Sequence, residues 1–418
     1  MDNLEYFRAK RYNPKNEESV DIVNTDDLLN LIDNVELKEI ITNKYGIDKS
    51  YSIEIEKIGF VFNQIKKYST KFELIRLQAK ESDVTCELEI DPKSKEPHYI
   101  FNINNGYEDN VLFDSIKATA IYDSVNLFYK NKSLTQYVKS LQKNPSKKSL
   151  LTDLNSSWSN YYVNNKNFVK TKLFRILKAD ENYYLKSINS TAYKEYGIAE
   201  SFVMAVLELW KFKKSNQDAD FYISSVSIGE AKLDLIVTRK KTIKLGVVGF
   251  LRSSISIRNE DQGNTSFGVH NTLEFYSNAN TTDKIYLFPN QDQNHIKNSV
   301  VSTHIVSPQT FVDTFSSISN LFEIGDQIKQ DFYFYNEAKN YDELRFKIES
   351  RLITNNSPFK GIKQLKELFS KEKTGHIENL ETLLKICAKA DSIEMDYDVK
   401  FKLRYLISNV LLYNSNNY

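Results

Sequence analysis

The sequence predicts an α+β protein: a mainly antiparallel central sheet flanked by helices, with a helical C-terminal unit. Three observations predict it. Segments rich in β-branched and aromatic residues gather between residues 50 and 105 and again between 221 and 290. Two pairs of these segments are joined by short polar links, as antiparallel hairpins require. From Pro308 the spacing of apolar residues changes from two to three and four, the period of a helix.

Taken in order, Asn24 precedes Leu28, Leu31, Ile32, Val35 and Leu37 at roughly helical spacing and predicts a capped helix. YSIEIEKIGFVF, KFELIRLQA, TCELEI and HYIFNI then read as strands, with a break at Asp91-Pro92. Residues 112–128 read as helix. The polar stretch 129–149, interrupted by Pro145, reads as a boundary, so the expected units are an α+β unit over 1–128, a β-rich unit with one long helix over 150–305 and a helical unit over 306–418.

In the middle unit, GIAESFVMAVLELWKFKK predicts a helix with Phe202, Val206 and Leu209 on one face. FYISSVSI and KLDLIVTR flank Gly229-Glu230, a two-residue link with the glycine first, as a type II′ turn prefers. A second hairpin pairs SSISIRN with FGVHNTLEFY and separates Val269, Leu273 and Phe275 from His270, Glu274 and Tyr276. KIYLFPN adds a strand. Beyond Pro308, Phe311, Phe315 and Ile318 open a helical series that ends with VKFKLRYLISNVLLY.

Composition narrows the function classes. Lysine plus arginine number 56 against 55 aspartate plus glutamate, so no global field draws the protein to nucleic acid or to anionic lipid. Two cysteines, Cys86 and Cys387, are too few for a disulfide framework and suit a reducing compartment. No apolar run approaches a membrane span. A cytoplasmic protein without a membrane partner is expected.

Against that neutral background, residues 130–178 hold eleven Lys or Arg and one acid, Asp153, among aromatic rings. A strand over 167–178 would put Phe168, Lys170, Lys172, Phe174 and Lys178 on one face. A helix through Val169, Leu173 and Ile176 would instead scatter the cations. The expectation is a nonenzymatic nucleic-acid-binding protein without a cofactor, its partner DNA or RNA in single-stranded form. Lys166, Lys170, Lys172, Arg175 and Lys178 would meet phosphates, and Tyr161, Tyr162, Phe168 and Phe174 would stack on bases.

Two alternatives stand beside it. Asp220 with Glu230-Ala-Lys232 matches in letters the D…ExK pattern of Mg²⁺-dependent nucleases, in which two carboxylates hold the metal and a lysine attends the attacking water. Glu230, however, reads as a hairpin tip rather than the interior of a strand. The other alternative is an assembly subunit of a virion or defence complex, with a protein partner or a second copy. His98, His270, His295, His304 and His376 lie too far apart in sequence to suggest a metal site. Neither a phosphate-binding loop nor a G-x-S-x-G elbow occurs.

Residues 173–280 carry LFRILKADENYYLKSINSTAYKEYGIAESFVMAVLEL, then SSVSIGEAKLDLIV, then SSISIRNEDQGNTSFGVHNTLEFYSN. This block resembles a family of phage- and plasmid-related proteins, domain-of-unknown-function family 932, with Ser190 and Tyr193 in its Ser-x-x-Tyr places and Asn259, Gly263 and Asn278 in its later positions. Thr191-Ala192 and Ser277-Asn278-Ala279 depart from the family pattern. The resemblance implies a setting of mobile elements, phage and antiphage defence, and assigns no catalytic residue.

Overall fold

The computed structural model describes residues 4–90, 95–109, 111–130, 132–245, 249–262, 267–277, 280–289, 299–322, 340–354 and 356–413. Asp91, Pro92, Gly263, Asn278 and His295 lie outside the described residues. The fold is α+β, built on two large sheets and a small two-stranded one, with a helical cluster at the C-terminal end.

The N-terminal part begins with β1 (Lys10–Tyr12), β2 (Ile22–Asn24), α1 (Thr25–Leu29), α2 (Val35–Tyr45), β3 (Ser52–Glu54) and α3 (Ile58–Lys71). Asn24 occupies the N-cap position of α1, but its side chain makes no capping bond there. Asn34 is the asparagine that caps with its side chain, accepting from the Leu37 amide. The GFVF of the expected strand lies in α3, because Ile58, Val61, Ile65 and Tyr68 form a buried helical stripe.

The next strands are β4 (Glu73–Lys80), β5 (Val84–Ile90), β6 (Pro97–Glu108) and β7 (Val111–Ala120). Helices α4 (Ser124–Lys130), α5 (Thr135–Gln142) and α6 (Ser149–Asn164) intervene before β8 (Thr171–Ala179) and β9 (Asn182–Asn189). Residues 112–120 are therefore strand rather than helix. Pairing with β6 along its length, from Val111↔Glu108 to Thr119↔Ile100, outweighs their local helical spacing.

The pairing order is β4-β8-β9-β7-β6-β5, and β4 also bridges β6 at Gln78↔Tyr107, which closes the sheet on itself. Interrupted only by the turn at Glu81–Asp83, β4 and β5 act as one bent strand that pairs with β8 in its first half and β6 in its second. Counted so, five strands close in the order 1-2-3-5-4-1, with helices between the third and fourth and one parallel pair, β7 with β9. This is the connectivity of an OB-type barrel. Leu77, Cys86, Phe101, Ile103, Ala118, Phe174 and Ile176 fill its interior, while Phe128, Tyr129 and Leu151 from the helices plug one end. Two of the five strands come from beyond residue 150, so the expected edges at 128 and 150 fall within the barrel.

A second, larger sheet follows α7 (Ile198–Ser215) and uses β10 (Phe221–Ile228), β11 (Lys232–Arg239), β12 (Ile243–Leu245), β13 (Gly249–Glu260), β14 (Phe267–Ser277), β15 (Asn280–Leu287) and β16 (Ser299–Ser302). All its pairings are antiparallel, in the order β1-β10-β11-β13-β14-β15, with β12 on β13 and β16 on β14. Both expected hairpins form. In the first, the Gly229 amide donates to the Lys232 carbonyl, so the link is Glu230-Ala231 and Gly229 has no positive φ. The glycine is needed for space, since a Cβ there would lie 3.0 Å from the Ala9 backbone.

Alternation gives this sheet one apolar and one polar face. Leu233, Leu235, Ile255, Ile257 and Val269 face α7, which is buried nearly all round rather than along a single stripe. Helix α8 (Pro308–Phe315) closes this core with Phe311 and Phe315. Farther along the same face, Leu251, Leu273 and Phe275 pack on α9 (Tyr341–Ile353), α10 (Lys363–Phe369), α12 (Leu380–Ser392) and α13 (Tyr397–Tyr413), while the short α11 (Lys371–Thr374) buries none of its residues. The opposite face carries buried Asp234, Ser254, Ser256, Thr272 and Glu274. Tyr397 of α13 donates to the Leu233 carbonyl at 2.9 Å, and Arg404 of α13 reaches Asp391 at 2.7 Å.

Barrel closure leads to a test. A Cβ on Gly106 would lie 2.4 Å from the fully buried Leu77 side chain, whereas Gly361 has open space. Gly106→Ala is expected to destabilise the protein by about 1–3 kcal/mol in urea unfolding. Gly361→Ala should leave the midpoint nearly unchanged.

Candidate functional site

The helical lobe between β7 and β8 holds most of the basic segment. Helix α6 turns Leu151 and Tyr162 inward and leaves Leu150, Asp153, Ser157, Asn160, Tyr161 and Asn164 outside, a spacing of three and four. After a short turn at Lys166–Phe168, β8 starts at Thr171. Lys130, Lys139, Lys143, Lys147, Lys148, Lys166 and Lys170 are all exposed. None of these seven has a carboxylate partner among the described residues.

The residues expected to bind divide into two sets. Tyr161 and Phe168 are 41% and 63% exposed, and their rings lie 6.3 Å apart. Trp158 stands edge-on to Tyr161 at 5.2 Å, and Lys166 and Lys170 flank the group in sequence. Lys172 is half-buried. Lys178, also half-buried, is paired with Glu73 at 3.0 Å.

Tyr162, Phe174 and Arg175, expected on the binding face, are instead buried and do not present themselves to solvent. The strand begins at Thr171, so its period of two sends Phe174 into the barrel and Arg175 out of the barrel wall, against the second sheet. Tyr162 lies on the inner face of α6.

Lys132 is one of the eleven cations of residues 130–178, and nothing in its local spacing sets it apart from the others. Its ammonium sits 3.4 Å from the centroid of Phe128 and within cation–π reach of Tyr129, Trp158 and Tyr162. Loss of hydration pulls its pKa down to about 8. It braces the aromatic cluster from beneath.

Comparison with protein-family models, with curated proteins and with solved structures finds no match to this chain.

At the barrel's outer wall the chemistry is ionic. Arg175 from β8 bonds Asp261 at 2.6 Å and also Glu195. Lys186 from β9 reaches Asp261 at 2.8 Å and Glu230 at 2.6 Å. Tyr193 donates to Asp261 at 2.7 Å, and Tyr122 donates to Glu230 at 2.9 Å. Burial alone would raise the Asp261 pKa, but Arg175 and Lys186 hold the carboxyl well below the usual range. Nearby Glu200 lacks such cations, and burial pushes its carboxyl up to about 8. These groups are scattered between residues 122 and 261, on several different elements, so no local spacing could reveal them.

The alternative nuclease residues are not brought together. Asp220 precedes β10 and Glu230 follows it, and eight strand residues separate them by roughly 26 Å at 3.3 Å each. Asp220 pairs with Lys213 at 2.8 Å, Glu230 with Lys186, and Lys232 with Glu260 at 2.9 Å. Among the described residues no three His, Cys, Asp or Glu side chains converge as metal ligands. No helix among them is long and apolar enough to cross a membrane.

Asp261→Asn would leave Arg175 and Lys186 short of a buried counter-charge, and a loss of roughly 3–5 kcal/mol is expected in urea unfolding. Because the folded pKa of Asp261 is depressed, its contribution is present above the ordinary carboxylate value and is lost as pH falls through the acid range. Glu200 has the opposite sign. Its raised pKa makes stability decline as pH rises from 4.5 toward about 8. Glu200→Gln should therefore raise the thermal midpoint at pH 8 and give no such gain near pH 4.

Proposed function

We propose that the chain is a nonenzymatic nucleic-acid-binding protein that holds single-stranded DNA or RNA on the basic aromatic lobe of its barrel. The observation that carries this reading is the exposed ring pair Tyr161 and Phe168, beside Lys166 and Lys170, which have no carboxylate partners among the described residues. Every base has a π face for such rings, while a duplex hides those faces in its own stack. The lysines supply the sequence-independent phosphate term.

The barrel supports the reading by analogy. OB-type barrels bind oligonucleotides or oligosaccharides over their second and third strands, here β6 and β7. The outer wall of β8 and β9 is taken up by the second sheet, whereas the β6–β7 turn exposes Tyr107, Val111 and Leu112. Fold alone does not assign function, so the lobe's chemistry carries the weight. The phage, plasmid or antiphage-defence setting implied by the resemblance belongs to the same proposal.

Fluorescence anisotropy with labelled single-stranded DNA and RNA tests it. Lys166→Glu with Lys170→Glu is expected to weaken binding and to reduce the slope of log K against log salt by at least about one. Phe168→Ala should cost about 1–3 kcal/mol, the worth of one base on one ring, without changing that slope. Unaltered affinity in both variants would remove the lobe from the binding surface.

A further inference from the structure

A cleft of about 1180 Å³ opens where the barrel, the polar face of the second sheet and the approach to α13 meet. Its walls come from Glu5 and residues 7–12, from Tyr122 and Asp123 after the third barrel strand, from Lys232, Glu260 and Gln262 at the strand ends, and from residues 394–398. It exceeds the roughly 300–1,000 Å³ of a pocket for a small ligand. We propose that this cleft receives an extended lysine- or arginine-bearing peptide segment.

Charge is the first reason. Six carboxylates and four cations line the cleft. Three of the cations are already held: Lys10 by Glu5 at 3.2 Å, Arg11 by Asp391 at 2.6 Å and Lys232 by Glu260 at 2.9 Å. Asp123, Glu394 and Asp396 have no basic partner among the described residues, and only Arg8 remains to offset them. The cleft therefore favours a cation and repels phosphate. It is a site apart from the lobe.

The second reason is a donor without an acceptor. Gln262 is 9% exposed, lines the cleft, and its Nε2 has no hydrogen-bond partner among the described residues. An unmet buried amide is costly, and a peptide carbonyl would meet it. A polyamine could satisfy the carboxylates but has no acceptor for Gln262. Phe7, Tyr12, Tyr122 and Tyr397 supply ring faces along which lysine or arginine stems can lie.

Fluorescein-labelled, acetylated pentalysine amide is the probe, with pentaglutamate and spermine as competitors. Pentalysine is expected to bind the full chain, and Glu394→Gln with Asp396→Asn, both at exposed positions, should weaken it at least tenfold. Gln262→Leu should weaken it several-fold without changing the salt slope, in a protein whose thermal midpoint is checked in parallel. Lys166→Glu with Lys170→Glu should leave pentalysine affinity unchanged, which separates this site from the lobe. Undetectable pentalysine binding, or equal affinity in the carboxylate variant, would overturn the proposal. Full competition by spermine together with a silent Gln262→Leu would replace it with a polyamine site. Self-association by light scattering that disappears in the carboxylate variant would replace it with a contact between copies.

Discussion

The contact between Arg175 and Asp261 joins the two sheets, and the rest of the molecule is arranged around it. Arg175 projects from the barrel wall and Asp261 from the end of β13, while Lys186 and Tyr193 complete the shell of the same carboxylate. Buried pairs of this kind add little net stability over apolar contacts, yet losing one member is expensive. Their effect is positional. With β8 and β9 pinned to the second sheet, the helical lobe and the β6–β7 turn are left facing solvent.

A second ionic node does the same at the other side of the large sheet. Asp391 accepts from Arg404 at 2.7 Å and from Arg11 at 2.6 Å, so one carboxylate ties the edge strand β1 to α13. Burial would raise the Asp391 pKa, and the two guanidiniums bring it well below the ordinary range. Lys400 donates to the Asp391 and Ile393 carbonyls, and burial lowers its pKa to about 7. The polar face of the sheet is thus sealed by charges that neutralise one another, and the cleft opens where that sealing stops.

What the sequence revealed follows from the range of the forces involved. The hairpins at 221–239 and 249–277 were legible because alternation and short links are local properties. The strand at 111–120 was not, since its apolar residues also fit a helix and only pairing with β6 decides between them. The lobe's excess of lysine could be counted along the chain. The burial of Phe174 and Arg175 could not, because it depends on a barrel that closes through Gln78 and Tyr107 and on an aspartate 86 residues away from Arg175. A glycine preceding a turn also has two meanings, and at Gly229 the crowding by Ala9 settles which applies.

The bridge from Arg11 to Asp391 joins residues 380 apart in the chain. At about 5–20 residues per second, a ribosome needs roughly 20–80 s to travel between them. Throughout that interval β1 can find neither Asp391 nor, until the middle of synthesis, its partner β10. The barrel strands, all within residues 73–189, can assemble much sooner. Closure of the large sheet at β1 is therefore a late event in the birth of the molecule, and an N-terminal fusion that restrains residues 8–12 would be felt most during folding, when the edge strand has still to be drawn in.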